Sequence, residues 1–356
     1  MAPPEARTSE YHDWLQRLLR RAAQKPGDLP PRMWWRVVRR TIAEFFEDDL
    51  MDRAAALTYY SIMSIFPGLL LLISGLGLFG PSTTNEVLAN IQTLTPGPAR
   101  DILTKGIENI QHSQQAAGVL AIIGFVVAAW SATGYIGAFM RAANSIYDVP
   151  EARPFWKTFP IQLFITLITG LFLAVSSLAV IFTGRLAQIA GRMVGVEQQA
   201  VRVFDIVKWP ALILAIGLLI ALLYWAAPNA RQGGFRWITP GSLLALFIWV
   251  AASAGFAIYI ARFASYNRTY GTLGGVIIFL VWLWLTNLAV LIGAEFDAEL
   301  GRSRAILAGL PADSEPYLPL RDLPRRWRRP RKTKKAEKKE PDPGPARAER
   351  APGSPE

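Results

Sequence analysis

Six long stretches of the chain carry no Asp, Glu, Lys or Arg. They lie between residues 53 and 86, 108 and 141, 157 and 185, 208 and 231, 236 and 262, and 268 and 295. A bilayer core about 30 Å thick is crossed by a helix of about 20 apolar residues. Core helices of soluble proteins keep a polar face, and runs such as IQLFITLITGLFLAVSSLAVIF keep none. The pattern predicts an all-α, polytopic helical membrane protein.

We place six transmembrane helices inside a membrane domain that covers residues 32–305. The flanking residues 1–31 and 306–356 are basic tails, and the second tail is rich in proline. Both tails are predicted to be largely disordered, although YHDWLQRLLRRAAQ can form a basic amphipathic helix. The six predicted spans are residues 55–80, 116–140, 160–183, 209–227, 238–260 and 273–294.

An amphipathic pattern precedes the first span. Trp34, Val38, Ile42 and Phe45 recur at helical spacing, and the remaining surface of this stretch is rich in arginine. Such a helix either lies in the lipid headgroup layer or packs on the bundle as an ordinary surface helix. Within the first span, Pro67 removes a backbone hydrogen bond and predicts a kink.

Lys and Arg are distributed unevenly between the two faces that six spans define. Of the 38 Lys and Arg residues, 30 fall in the tails and in the loops after the second and fourth spans. Cationic segments stay on the cytoplasmic side of a membrane. We therefore expect a multi-pass protein of the bacterial inner membrane with both termini in the cytoplasm.

The composition supports a membrane class over a nucleic-acid-binding class. Hydrophobic residues make up 52% and charged residues 18% of the chain, whereas soluble proteins carry about 25% charged residues. Much of the net charge of +11 lies in PRRWRRPRKTKKAEKK. A basic tail of this kind is attracted to anionic lipid headgroups, and no aromatic platform for nucleic acid accompanies it. The expected partner is membrane lipid and no specific nucleic acid.

Neutral polar residues inside the predicted spans are candidates for a wet cavity. Polar groups in a membrane often mark a functional path, and they also hydrogen-bond between helices. Small residues recur at four-residue spacing and favour close helix packing. The candidate cavity residues are Tyr59, Tyr60, Ser64, Ser131 and Asn287. The small pairs are Ala128/Ala132, Gly170/Ala174, Gly241/Ala245, Ala251/Gly255 and Gly271/Gly275.

Ionised residues concentrate at the cytoplasmic ends of the spans. Three acids follow the sixth span on one short stretch of helix, and two arginines lie near them at the ends of the first and second spans. Opposite charges at neighbouring helix ends predict an ion-pair network, read first as a structural latch and second as a cytoplasmic gate. The predicted members are Asp52, Arg53, Arg141, Glu295, Asp297 and Glu299.

Signatures of enzymes are missing from the sequence. There are 2 histidines and no cysteines, and no Walker loop, GxGxxG, GxSxG or His-x-x-x-His pattern occurs. We therefore expect no catalytic residue, metal or cofactor, and we do not expect an enzyme.

Three segments resemble the signature regions of a known family. They are DRAAALTYYSIMSIFPGLLLL, MRAANSIYDVPEARPFWK and YNRTYGTLGGVIIFLVWLWLTNLAVLIGAEFDAEL. In this order they resemble the YihY/virulence factor BrkB family over roughly residues 35–305. The resemblance implies six spans in a bacterial inner membrane. Family members have often carried the label ribonuclease BN, a chemistry that needs a His/Asp cluster which this sequence lacks.

Three functional hypotheses follow. The first is a transporter or exporter of unknown substrate with a polar path between the first, second and sixth spans. The second is a scaffold or envelope-integrity protein that binds lipid or partners through its basic segments. A ribonuclease comes last. The sequence indicates neither a substrate nor an oligomeric state.

Overall fold

The structure is a computed structural model that describes residues 8–20, 29–77, 117–181, 198–232, 239–262 and 267–327. The described chain is helical, apart from turns, a short 3-10 turn at Arg325–Trp327 and an isolated bridge between Ala230 and Leu320. The helices are α1 (Ser9–Leu19), α2 (Pro31–Glu47), α3 (Leu50–Gly77), α4 (Ala117–Ile146), α5 (Phe155–Ile181), α6 (Gln198–Ala226), α7 (Pro240–Arg262) and α8 (Asn267–Leu307).

The charge-free stretches form the six long helices α3 to α8. Within the described residues, four segments are long and apolar enough to cross a bilayer: Phe155–Ser176, Ile206–Ala226, Pro240–Ile260 and Gly274–Leu307. The other two predicted spans fall on α3 and α4, which have 28 and 30 residues. The all-α class is confirmed. That α3 and α4 also cross the bilayer stays a prediction.

The α3 helix runs without a break past position 67 to Gly77. The helix is continuous at Pro67, and the predicted kink stays a prediction.

The long helices alternate in direction, so that one end of the bundle collects their polar ends. The chain enters α3 through Asp49 (φ 50°) and leaves α4 through Asp148, which has the same φ. Side chains then tie the ends together across the bundle, as Arg153 does to the carbonyl of Ala227 at 2.7 Å. We call this the charged end. At it α3, α5 and α7 begin, and α4, α6 and α8 finish.

Burial is concentrated beside the charged end. On α4, residues 138–140, 142–144 and 146 are buried, whereas Ile122, Phe125 and Trp130 are exposed. On α7, Gly241, Ser242 and Ala245 are buried, and described residues beyond Ala245 are half-buried or exposed. Among the described residues, packing is therefore densest at the charged end.

Both flanking segments pack on the charged end. In α1, Tyr11 and Leu15 are buried, and the Tyr11 hydroxyl donates to the carbonyl of Pro316 at 3.1 Å. Residues 308–327 bury Tyr317, Leu318 and Leu320. Residues on both sides of the predicted domain of residues 32–305 thus pack on it, and the domain bounds stay a prediction. The physical reason is that these short segments carry apolar side chains that cover the helix ends.

Candidate functional site

The charged end holds the six residues predicted to form ion pairs, with partners that differ from the expected ones. Arg53 donates from Nε to the carbonyl of Asp48 at 2.6 Å and from Nη2 to Oγ of Ser145 at 2.8 Å. Arg141 is exposed, and its guanidinium carbon lies 6.0 Å from the centre of the Tyr60 ring. Asp52 is exposed. Arg53 therefore joins the α2–α3 turn to α4 through neutral acceptors.

Glu299 forms the ion pair that closes α2 onto α8. Its carboxylate accepts from Nε of Arg40 at 2.7 Å, and its side chain is 4% exposed. The same guanidinium bonds Glu44 at 2.6 Å. These charges and hydrogen bonds raise the pKa of Arg40 against the opposing effect of burial. Arg40 and Glu299 constitute the latch, and the sequence had not paired them.

Glu295 faces other acids. It is 1% exposed, and its Oε2 has no hydrogen-bond partner among the described residues. Asp48 lies within hydrogen-bonding reach of it. Burial raises the pKa of Asp48, and hydrogen bonding from Ser145 lowers it in part. Two carboxyls so close favour a shared proton, because two negative charges in a buried site repel.

Asp297 caps a neighbouring helix. Its Oδ1 accepts from the backbone N–H of Gly241 at 2.7 Å, in the first turn of α7. The first four N–H groups of a helix lack intrahelical acceptors, and a carboxylate also suits the positive end of the helix dipole. Asp297, which the sequence predicted to join an ion pair, thus holds the first turn of α7 against α8.

Arg302, which the sequence reasoning missed, links three segments. Its guanidinium lies 3.4 Å from Asp148 and 3.7 Å from Glu315, and it donates to the carbonyl of Ala312 at 3.2 Å. Burial and the nearby Glu315 raise the pKa of Asp148 to about 7, although Arg302 opposes that change.

A second cluster is built on two asparagines. Asn144 on α4 accepts from the backbone N–H of Asn229 at 2.7 Å and donates to Glu151 at 2.9 Å. Asn229 donates to the carbonyls of Pro150 at 2.9 Å and Asp322 at 3.0 Å. Asn229 is fully buried. This asparagine cluster joins α4, α6 and residues 308–327, and no periodic pattern in the sequence marks Asn229.

Arginines complete the asparagine cluster. Arg153, with a side chain 1% exposed, pairs with Glu151 at 2.7 Å. Arg321 donates to the carbonyls of Ala230 and Trp225 and lies 5.0 Å from the centre of the Trp225 ring. The guanidinium of Arg153 also donates to the carbonyl of Ala227. The arginines therefore satisfy backbone carbonyls that α6 leaves open at its end.

The predicted cavity residues are mostly bonded within or between helices. Asn287 on α8 donates to Oγ1 of Thr58 at 3.1 Å and accepts from the Tyr135 hydroxyl at 3.0 Å. Ser64 donates to the carbonyl of Tyr60 at 2.8 Å. Tyr59 is 59% exposed and Ser131 is half-buried. Asn287 thus joins three helices, and a cavity lined by these five residues stays a prediction.

A polar stripe runs along one face of α5. Gln162, Thr166, Thr169 and Ser176 recur at spacings of three, four and seven residues, which places them on one helix face. Gln162 lies against Gly137 of α4. The hydroxyls of Thr166, Thr169 and Ser176 are buried and have no hydrogen-bond partner among the described residues. Polar atoms in that position usually have a partner, often an ordered water.

A cavity of about 330 Å³ lies between α1 and residues 319–323. His12 lines it, is 5% exposed, and stacks on Trp327 with 5.9 Å between ring centres. Neither ring nitrogen has a partner among the described residues. Burial lowers the pKa of His12 to about 4. His12 is therefore neutral at physiological pH and behaves as a stacking aromatic that holds α1 in place.

Docking of α1 is expected to weaken in acid. Docked α1 keeps His12 neutral down to about pH 4, whereas undocked α1 binds a proton below its ordinary pKa of 6.5. Between these values the undocked state binds more protons, so docking is stable above the window and is lost as the pH falls through it. The full effect is roughly 3 kcal/mol. Amide hydrogen exchange of residues 9–19 should show protection falling about ten-fold per pH unit in this window.

The variant His12→Phe is the control for this measurement. Phenylalanine keeps the stack on Trp327 and does not titrate, so protection of α1 should become independent of pH. An equal pH slope in both proteins would assign the effect to another group.

Among the described residues, no group of three or more His, Cys, Asp or Glu side chains is arranged to hold a metal ion.

Comparison with known proteins places these features in a lineage. A family model described as virulence factor BrkB matches residues 41–316. A Bacillus subtilis (strain 168) protein whose name describes it as ribonuclease-like, YfkH, is 28% identical over 268 residues, covering 75% of this chain and 94% of its own length.

Further relatives are named UPF0761 membrane proteins. Those of Xanthomonas oryzae pv. oryzae (strain PXO99A) and Xanthomonas campestris pv. campestris (strain 8004) are 26% identical over 309 and 306 residues. Each alignment covers 84% of this chain and 66% of the relative. No solved structure matches the chain.

Proposed function

Because the chain belongs to the virulence factor BrkB family and is a membrane protein, we propose that it transports or exports a solute across the bacterial inner membrane. In this proposal α3 to α8 all cross the bilayer. The charged end and both termini face the cytoplasm, where most Lys and Arg residues lie.

The polar stripe on α5 carries the proposal. The hydroxyls of Thr166, Thr169 and Ser176 are buried and find no hydrogen-bond partner in the part of the chain that the structure describes. A membrane helix normally satisfies such groups internally or against a neighbour. Water or a polar solute between α4 and α5 supplies the missing hydrogen bonds. The path so defined runs along α5 toward the charged end.

The charged end closes this path on the cytoplasmic side. The latch of Arg40 and Glu299 binds α2 to α8, and the asparagine cluster binds the ends of α4 and α6 to residues 308–327. Opening requires several of these bonds to break together, which is how a gate holds two discrete states. Of the residues predicted to form the gate, Glu299 carries that role in this proposal, with Arg40 as its partner.

Cysteine accessibility tests the proposal, because the chain has no cysteine of its own. Thr169→Cys places a thiol on the stripe, and Leu171→Cys, at a position 67% exposed, places one toward lipid. A membrane-impermeant maleimide added outside spheroplasts should label position 169 and leave position 171 unlabelled. In inside-out vesicles position 169 should become reactive only when Arg40→Gln and Glu299→Gln open the latch.

Equal labelling at positions 169 and 171, or none at 169 from either side, would overturn the polar path. The orientation is tested separately with Ser354→Cys, which should react in inside-out vesicles and stay protected in spheroplasts.

The alternative is a scaffold or envelope-integrity protein that binds lipid or partners. The exposed apolar side chains of α2 favour it. In that case the cysteine at position 169 would not react with the maleimide, and envelope integrity would be retained. Envelope integrity would instead depend on α2 and on the tail of residues 328–356. A ribonuclease remains the last choice, since the described residues hold no constellation for that chemistry.

A further inference from the structure

The α2 helix presents three different faces. A helix turns about 100° per residue, so its 17 residues can be sorted by direction. One face, with Met33, Val37 and Thr41, is buried. The next holds exposed apolar side chains, and the third holds exposed arginines. The apolar face consists of Trp35, Val38, Ile42 and Phe46, and the cationic face of Arg32, Arg36 and Arg39.

The buried face fixes α2 across α8. Val37 packs with Phe296 and Leu300, and the ring of Trp34 lies 6.2 Å from that of Phe296. Arg40 adds the ion pair to Glu299. The buried face of α2 therefore contacts the described bundle, and the apolar face points in another direction.

The level of α2 along the bundle is set by α7. Leu244, in the first turns of α7, packs on the same cluster as Val37. Leu243 and Phe247, on either side of it, are 54% and 71% exposed. The large exposed apolar surface of α7 thus begins at the height where α2 crosses. On the proposed membrane position, this height is the boundary between hydrocarbon and headgroups.

We propose that α2 is an in-plane helix whose apolar face enters the cytoplasmic leaflet and whose arginines bind the phosphates of anionic phospholipids. Trp35, at 71% exposure, and Phe46, at 65% exposure, lie at opposite ends of the apolar face. Large amphipathic side chains beside arginines are typical of interfacial helices. Around the helix axis, the arginines lie about 80° from the middle of the apolar face. When the apolar face of a helix enters the hydrocarbon, side chains in that direction lie level with the lipid headgroups.

The inference holds whether the protein is a transporter or a scaffold, because it concerns only where α2 rests. It resolves the choice between a headgroup helix and a packed surface helix: the two roles belong to different faces of one helix.

Single cysteines on adjacent residues test the proposal. Ile42→Cys lies on the apolar face and Ala43→Cys on the cationic face, and both positions are exposed. An environment-sensitive fluorophore at position 42 should be quenched several-fold more strongly by lipids with brominated acyl chains than one at position 43. The protein is reconstituted in nanodiscs of phosphatidylcholine, with or without phosphatidylglycerol. Thermal unfolding confirms that each variant is folded.

The anionic preference is measured with brominated phosphatidylglycerol diluted in phosphatidylcholine. Each arginine near the surface should enrich the anionic lipid about five-fold, so Arg36→Gln with Arg39→Gln should remove most of the enrichment at position 42. Arg17→Gln on α1, combined with Arg20→Gln directly after it, is the matched control and should leave the enrichment unchanged.

Three results would contradict the proposal. Equal lipid quenching at positions 42 and 43 would place the apolar face in water. A label at position 42 shielded from both lipid and aqueous quenchers would show that a second copy or another protein covers it. Enrichment that ignores Arg36 and Arg39 would remove the headgroup assignment.

Discussion

Replacing Gly293 by alanine is expected to destabilise the bundle by about 3 kcal/mol or more. The added Cβ would meet the backbone oxygen of Gly241, the Tyr224 hydroxyl at 2.5 Å and the Cβ of Ala245 at 2.7 Å. The first of these is backbone and cannot rotate away. Separating α7 from α8 would break the bond from Gly241 to Asp297, and it would loosen the charged end.

Gly255→Ala is the matched control on α7. A Cβ there meets nothing within 4 Å, so the helix should gain about 0.5–1 kcal/mol from the lost glycine flexibility. Thermal unfolding of the purified protein in detergent, followed by tryptophan fluorescence, measures both changes. Similar melting temperatures for the two variants would show that α7 and α8 are not in contact at Gly293.

Gly241→Ala should behave like Gly293→Ala, since its Cβ would meet the oxygen of Gly293 and Cγ of Asp297 at 2.5 Å. A large effect at only one of the two positions would place the close approach elsewhere.

These glycines show what small-residue spacing predicts and what it leaves open. Gly241/Ala245 lies at a close helix crossing, whereas a Cβ at Gly170, Gly255 or Gly275 would meet nothing within 4 Å. Spacing of four residues creates a smooth face on a helix. Which smooth face receives a neighbour depends on the loops and helix ends that orient the helices, and local spacing does not encode that.

The helices themselves were predictable because one free-energy cost dominates their formation, the cost of leaving backbone polar groups unbonded in lipid. A charge-free stretch of this length cannot stay in water, and in lipid its backbone must bond internally. Pairings at the charged end were harder to predict. Helix ends offer unbonded N–H and C=O groups that compete with side-chain charges, and so Arg53 bonds the carbonyl of Asp48 and Asp297 bonds Gly241.

The α5 stripe and Asn229 were missed for different reasons. Thr166 and Thr169 are hidden in a stretch that is apolar on average, so a search for charged residues passes over them. Asn229 sits in a short connection, where a single neutral amide has no period to reveal it. The α5 hydroxyls are distinguished by being buried without a hydrogen-bond partner among the described residues, and Asn229 by being buried with several partners.

Replacing Arg153 by leucine is expected to lower stability by about 3 kcal/mol. The guanidinium is 1% exposed and bonds both Glu151 and the carbonyl of Ala227. Without it Glu151 keeps a charge in a partly buried site, and the end of α6 loses a donor. Burial alone raises the pKa of Glu151, but the hydrogen bonds and charge of Arg153 outweigh this and hold it below the usual value. Stability from this pair is therefore present above the ordinary pKa and is lost as the pH falls through the lowered one.

The acid dependence separates loss of the ion pair from a general packing defect. Because protonated Glu151 no longer needs its partner, the difference in melting temperature between the wild type and Arg153→Leu should narrow toward acid pH. Lys157→Ala is the control, since this ion pair with Asp322 is 52% exposed on the lysine side and should contribute at most about 1 kcal/mol. If Lys157→Ala proved as damaging as Arg153→Leu, exposed charge rather than the buried asparagine cluster would hold residues 308–327 against the helix ends.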